Sequence, residues 1–128
     1  MMMQSPPILL VEDNAIIQRI TASDLEWRGH EVVIAGTAAE ALEELNGQKF
    51  GLILMDVGLP DGNGLDISQT IRQDNNCQNQ YTPIVVVTAH STDAVSQQRC
   101  IKLGIQALIM KPLTPEKLDQ ALQYFYNV

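Results

Sequence analysis

Four of the five short apolar runs in this chain lead into a residue that can do chemistry. Ile8–Val11 runs into Glu12 and Asp13, Gly51–Met55 into Asp56, Ile84–Val87 into Thr88, and Ala107–Met110 into Lys111. Taken singly, an acidic residue after a strand more often caps the next helix, and Asp13 or Asn14 could do that. Three carboxylates meeting in one crevice are different, because like charges a few ångströms apart oppose ionisation and folding unless a cation sits among them. Glu12, Asp13 and Asp56 with Lys111 leave two uncompensated negative charges, which one divalent ion would neutralise. Oxygen ligands without His or Cys select a hard ion, and Mg²⁺ is the expected one. Lys111 then offers a compact positive charge, and Thr88 a hydroxyl donor, to phosphoryl oxygens. No hydroxyl or thiol nucleophile with a His general base presents itself, so the best nucleophile is a carboxylate, and Asp56 is central. Attack on an activated phosphoryl donor would give an acyl phosphate, with Mg²⁺ and Lys111 neutralising the developing charge. The added charge could reposition Thr88 and its loop.

Such residues act together only if the strands that carry them end at one edge. A fifth apolar run, Glu31–Ala35, completes a set of buried-strand candidates separated by stretches long enough for helices. Helical spacing is open in Ala38, Ala41, Leu42, Leu45 and in Leu118, Ala121, Leu122, Phe125. Thr37 and Glu40 have capping-box spacing, and Thr114 precedes a Pro at the first helical position. The remaining helices are expected over Asn14–Arg28, closed by Gly29, over Gly64–Gln73, and over Thr92–Leu103, closed by Gly104. Strict alternation with apolar strands predicts a doubly wound α/β domain, a five-stranded parallel sheet with five helices on both faces, and the strand ends suit the flavodoxin-like order 2-1-3-4-5. In that order the second strand lies at an edge, away from the crevice, and it ends on the inert Ala35 and Gly36. The polar stretch Asn75–Gln80 is expected to be a solvated connection.

With 128 residues the chain is expected to be one domain. A net charge of −7 disfavours nucleic acid and anionic membrane, and the basic residues form no cluster. The apolar runs fall far short of the roughly 20 residues needed to span a bilayer. Nothing at the amino end reads as a signal peptide, so a cytoplasmic location is expected. Cys77 and Cys100 have neither metal-site nor redox-motif spacing and are expected to be reduced thiols. Trp27, Tyr124 and Tyr126 read as packing or partner-surface residues, and His30 as a turn residue.

The chain resembles the receiver domains of two-component signalling systems. The resemblance rests on Ile-Leu-Leu-Val-Glu-Asp-Asn at 8–14, Leu-Met-Asp-Val-Gly-Leu-Pro-Asp-Gly-Asn-Gly at 54–64, Val-Val-Val-Thr-Ala at 85–89 and Met-Lys-Pro-Leu at 110–113. Residues 1–6 are then an extension and 7–128 the receiver domain. The resemblance implies that Asp56 accepts a phosphoryl group from a histidine kinase or a histidine-containing phosphotransfer protein. It further implies that Asp13 and the Gly58 carbonyl bind Mg²⁺ directly, that Glu12 acts mainly through water, and that Thr88 and Lys111 contact the phosphoryl group. The Lys111–Pro112 peptide is often cis in this family. Leu108 stands where many receivers carry a Tyr or Phe that reports phosphorylation. It is either core or part of an altered switch that runs through the Thr88 loop and the helix after it. His90, near the rim, is either a solvated loop residue or one that tunes the lifetime of the acyl phosphate. The wording resembles receivers joined to hybrid histidine kinases. Two alternatives remain: a phosphorylation-independent binding module, and a Mg²⁺-dependent aspartyl phosphatase. The phosphatase is disfavoured because Gly58, not a second Asp, follows Asp56 at i+2.

Overall fold

Alternate residues of a strand face opposite sides of a sheet, so a strand buried on both faces must be apolar throughout. Three runs meet that requirement in the structure, a computed structural model that describes residues 5–89 and 94–126 except for the side chain of Ala94. β1 (Ile8–Val11), β3 (Leu52–Asp56) and β6 (Ile84–Thr88) are buried along their whole length and apolar up to the last residue of β3 and β6, Asp56 and Thr88. They are flanked by β2 (Val32–Ala35) and β7 (Ala107–Met110), which are only partly buried. All pairings in this sheet are parallel and the order is β2-β1-β3-β6-β7. Counting its five strands alone, that is the expected 2-1-3-4-5. A feature the sequence did not announce lies between β3 and the next helix. There β4 (Gly58–Leu59) and β5 (Gly62–Asn63) form a two-residue antiparallel ladder.

The helices cover both faces. α1 (Ala15–Trp27) and α5 (Pro115–Leu122) bury Ala22, Leu25, Leu118 and Ala121 against Ile8, Leu10, Leu52, Leu54 and Val85. On the other face α2 (Ala38–Gly47), α3 (Gly64–Gln73) and α4 (Ala94–Lys102) pack residues such as Ala41, Leu45, Leu65, Ile71 and Cys100 against Leu9, Val11, Ile53, Met55 and Val86. The strand period of two sorts each strand between these cores.

The expected caps form. Asn14 Oδ1 accepts from the Ile16 and Ile17 amides at 2.9 and 3.0 Å, so Asn14 rather than Asp13 caps α1. Thr37 Oγ1 accepts from the Glu40 amide at 3.1 Å, and Thr114 Oγ1 from the Lys117 amide at 3.3 Å. Several boundaries differ from expectation. Asp56 and Thr88 are the last residues of their strands rather than the first beyond them, because each still faces a partner in the parallel register. α5 stops at Leu122, and Phe125 packs as a loop residue, its ring centroid 4.7 Å from that of His30. α4 is described from Ala94, so the expected start at Thr92 lies outside the described residues.

The 75–80 stretch corrects a second expectation. Asn79 is fully buried, not solvated. Its Nδ2 donates to the Leu45 and Gln48 carbonyls, each at 2.7 Å, while its Oδ1 accepts from the Phe50 amide at 2.8 Å and the Thr82 hydroxyl at 2.9 Å. Both donors and both acceptor positions of the amide are used. Beside it Arg72 donates to the carbonyls of Gln80, Thr82 and Leu103 at 2.8, 2.9 and 2.8 Å. Burial lowers the pKa of this guanidinium, which meets backbone carbonyls instead of a carboxylate. The amino edge of the sheet is thus closed by polar side chains that stand in for missing backbone partners.

Candidate functional site

At the carboxyl edge β1, β3, β6 and β7 bring their end residues together. Glu12 and Asp56 are buried at 4% and 5% exposure, and Asp13 is exposed at the rim. Carboxylate oxygens of the three lie within 4.8 Å of one another. Lys111 Nζ reaches in from the end of β7, 2.9 Å from Glu12 Oε1 and 3.0 Å from Asp56 Oδ2. Among the described residues no cation pairs with Asp13. One ammonium therefore serves two buried carboxylates while a third stands beside them. Burial by itself would lower the Lys111 pKa, but hydrogen bonds and charge from Glu12 and Asp56 outweigh it and raise the pKa above its ordinary value.

Backbone contacts fix these side chains. The Lys111 amide donates to the Thr88 carbonyl at 2.7 Å, which joins β6 and β7 at the site, and the Lys111–Pro112 bond is cis. The Glu12 amide donates to the Ala35 carbonyl at 3.0 Å, and Glu12 Oε2 accepts from the Asn14 amide at 3.0 Å. Asp56 Oδ1 accepts from the Gly58 amide at 3.3 Å. The Gly64 amide donates to the Val57 carbonyl at 2.9 Å, so α3 begins against the backbone of the acidic strand. A Cβ at Gly64 would collide with the Asp56 carbonyl oxygen, so only glycine permits this approach.

Of the sequence-predicted site residues, Glu12, Asp13, Asp56, Thr88 and Lys111 converge, with Thr88 buried at the end of β6. Gly58 lies two residues past Asp56, at the start of β4. Leu108 faces Val86 across the sheet and packs, partly buried, on the α2–α3–α4 core. His90 lies outside the described residues. Sequence reasoning missed Gln18, whose Nε2 donates to the Glu12 carbonyl at 2.5 Å, and Asp61, which meets α2. Their partners are backbone atoms, which no residue-type pattern reveals.

The site opens into a cavity of about 340 Å³ whose lining is mostly apolar, including Ile17, Ile20, Pro112 and Leu113, and also takes in Glu12, Asp56 and Lys111. On the same helix Ile16 and Ile20 are 70% and 58% exposed. Trp27, at the far end of α1, is 85% exposed and serves no core. Among the described residues no helix is long and apolar enough to cross a membrane.

The comparisons with known proteins agree with this geometry. The response regulator receiver domain family matches residues 8–123, and the chain belongs to that family. Sensor protein TorS of Escherichia coli (strain K12) is 36% identical over 124 residues, covering 94% of this chain and 13% of its own length. The sensor histidine kinase AruS of Pseudomonas aeruginosa is 36% identical over 115 residues, covering 90% of this chain and 11% of its own length. The chain therefore spans a small part of these relatives. Among solved structures, chemotaxis protein CheY4 of Vibrio cholerae superposes with a TM-score of 0.84 at 28% identity, covering 95% of this chain and 99% of that one. A response regulator receiver protein from Pseudomonas putida gives 0.83 at 30% identity, covering 95% and 98%. The fold is that of the CheY-like receivers, and the domain is a receiver of two-component signalling.

Proposed function

We propose that Asp56 takes a phosphoryl group from a phosphohistidine on a histidine kinase or phosphotransfer protein. In this reaction a P–N bond breaks and a carboxylate O–P bond forms. The observation that carries the reading is the position of Asp56: buried, beside two further carboxylates, with one oxygen 3.0 Å from the Lys111 ammonium. A carboxylate is already ionised at neutral pH and needs no base to make it a nucleophile. The donor set is all oxygen and carries more negative charge than Lys111 can offset, which fits Mg²⁺. Asp13, Asp56 and the Gly58 carbonyl would hold the ion directly, with Glu12 acting through water. When bound, the ion supplies positive charge toward the phosphoryl oxygens. Lys111 orients the same oxygens and Thr88 contributes its hydroxyl, so the product's added charge acts on the β6 end and the segment after it.

The apolar cavity wall and the exposed Ile16 and Ile20 suit a protein donor better than a small phosphorylated metabolite, because they offer area to a macromolecular surface. A cytoplasmic location is part of this reading. The domain is a switch rather than an enzyme for external phosphoesters, since Gly58 occupies the position two beyond Asp56 where an acid/base carboxylate would be needed. The downstream partner is a protein.

Labelling with acetyl phosphate and with phosphorylated kinase tests the assignment. Wild type is expected to take up one phosphoryl group in the presence of Mg²⁺, and Asp56→Asn to lose at least about 100-fold in labelling rate, since an amide is a poor nucleophile. Equal labelling of both proteins would reject Asp56 as acceptor.

A further inference from the structure

The loop that carries Gly58 is held at its base. Gly58 pairs with Asn63 and Leu59 with Gly62, the Gly64 amide closes on Val57, and Asn63 Oδ1 caps α3 through the Leu65 amide at 2.7 Å. Leu59 adds one half-buried apolar anchor. Among the described residues Gly58 itself is not packed, since none lies within 4 Å of where its Cβ would be. Hydrogen bonds, not contacts, must set where its carbonyl stands.

Among the described residues the tip of the loop has one polar tether, Asp61. Asp61 Oδ1 accepts from the Ala38 amide at 2.6 Å and Asp61 Oδ2 from the Ala39 amide at 3.1 Å. These are the first two amides of α2, which its own cap does not reach: Thr37 takes the Glu40 amide. An amino-terminal helix end favours a carboxylate. The Asp61 pKa is accordingly lowered, first by the Ala38 amide and then by that of Ala39. Asp61 is exposed, so burial does not force these bonds. Gly62 completes the fit, since a Cβ there would lie 3.1 Å from the Ala38 side chain.

We propose that Asp61 is a positioning residue for the metal site, its carboxylate tying the Gly58 loop to the amino end of α2 and so fixing the Gly58 carbonyl for the ion. This inference rests on the reading of Gly58 as a Mg²⁺ ligand. It makes α2, which contributes no residue to the site, part of its support.

Calorimetric Mg²⁺ titration of the whole chain, with an amide-proton spectrum to confirm folding, separates this role from general stabilisation of α2. Asp61→Ala is expected to weaken Mg²⁺ binding roughly tenfold. Asp61→Asn, which keeps one acceptor oxygen, is expected to recover part of that loss. Thr37→Ala removes the helix's own cap without touching the loop, and is expected to lower the melting temperature yet leave Mg²⁺ affinity unchanged. Affinity of Asp61→Ala within about twofold of wild type, below the effect such supporting groups have, would overturn the proposal. So would equal weakening by Thr37→Ala. Wild type that binds no Mg²⁺ would overturn the metal reading itself, and this inference with it.

Discussion

The two edges of the sheet both bury polar side chains, and they do opposite things with them. At the amino edge every hydrogen-bonding position of the Asn79 amide meets a partner within the chain, and Arg72 spends its donors on carbonyls. At the carboxyl edge Lys111 is shared between Glu12 and Asp56 while Asp13 has no cation of its own among the described residues. A closed network, in which the buried donors and acceptors meet partners within the chain, satisfies buried backbone and stabilises the fold. An open one with surplus charge costs stability until something from outside completes it, as functional sites commonly do.

Mutation should therefore move stability in opposite directions at the two edges. The largest effect is expected from Asn79→Ala, which leaves the buried Phe50 amide without its acceptor and takes a donor from the Leu45 and Gln48 carbonyls. A loss of about 3 kcal/mol in urea unfolding is expected, and less than about 1 kcal/mol would show that the network is not closed as described. Asp13→Asn should act the other way. Relieving like charge at the open edge is expected to raise stability by about 1 kcal/mol in Mg²⁺-free buffer and to abolish most of the stabilisation that added Mg²⁺ gives wild type. Destabilisation by this change without Mg²⁺ would break the contrast. The smallest effect sharpens it from within. Lys49 donates to the Gln78 carbonyl at 3.0 Å and the Thr82 hydroxyl at 3.2 Å from the outer side of the closed network, where Asn79 already bonds Thr82. Lys49→Met is expected to change stability by less than about 0.5 kcal/mol, so that the buried amide and not the surface cation carries that edge.

The open edge was legible in the sequence and the closed one was not. Strand ends in a parallel sheet have a defined place, so Glu12, Asp56, Thr88 and Lys111 could be assembled from residue type and order alone. The spans of β1 and β7 and the caps Thr37 and Thr114 were legible for the same local reason. Asn79 could not be recognised, because three of its four partners lie 29 to 34 residues away and are backbone atoms of a helix end and a strand entry. A polar tract rich in Asn and Gln reads as solvated until the chain closes around one member of it. Asp61 failed to stand out for the same reason, being 22 and 23 residues from the amides it accepts from. Leu108 shows the limit in another form. Its neighbour Val86 and its core packing follow from the register, whereas its part in switching does not follow from geometry in a single state.

The chain's one tryptophan has a practical consequence. Trp27 is already 85% in water when the protein is folded, so its emission will change little on denaturation. It also closes a helix whose other end borders the acidic cluster, and the 12 steps from Ala15 to Trp27 at about 1.5 Å each put it roughly 18 Å along the axis from that end. Intrinsic fluorescence is thus a poor optical handle on either unfolding or ion uptake in this domain. A tryptophan introduced at the cavity rim, for example Ile17→Trp, would supply a local probe that the natural sequence lacks.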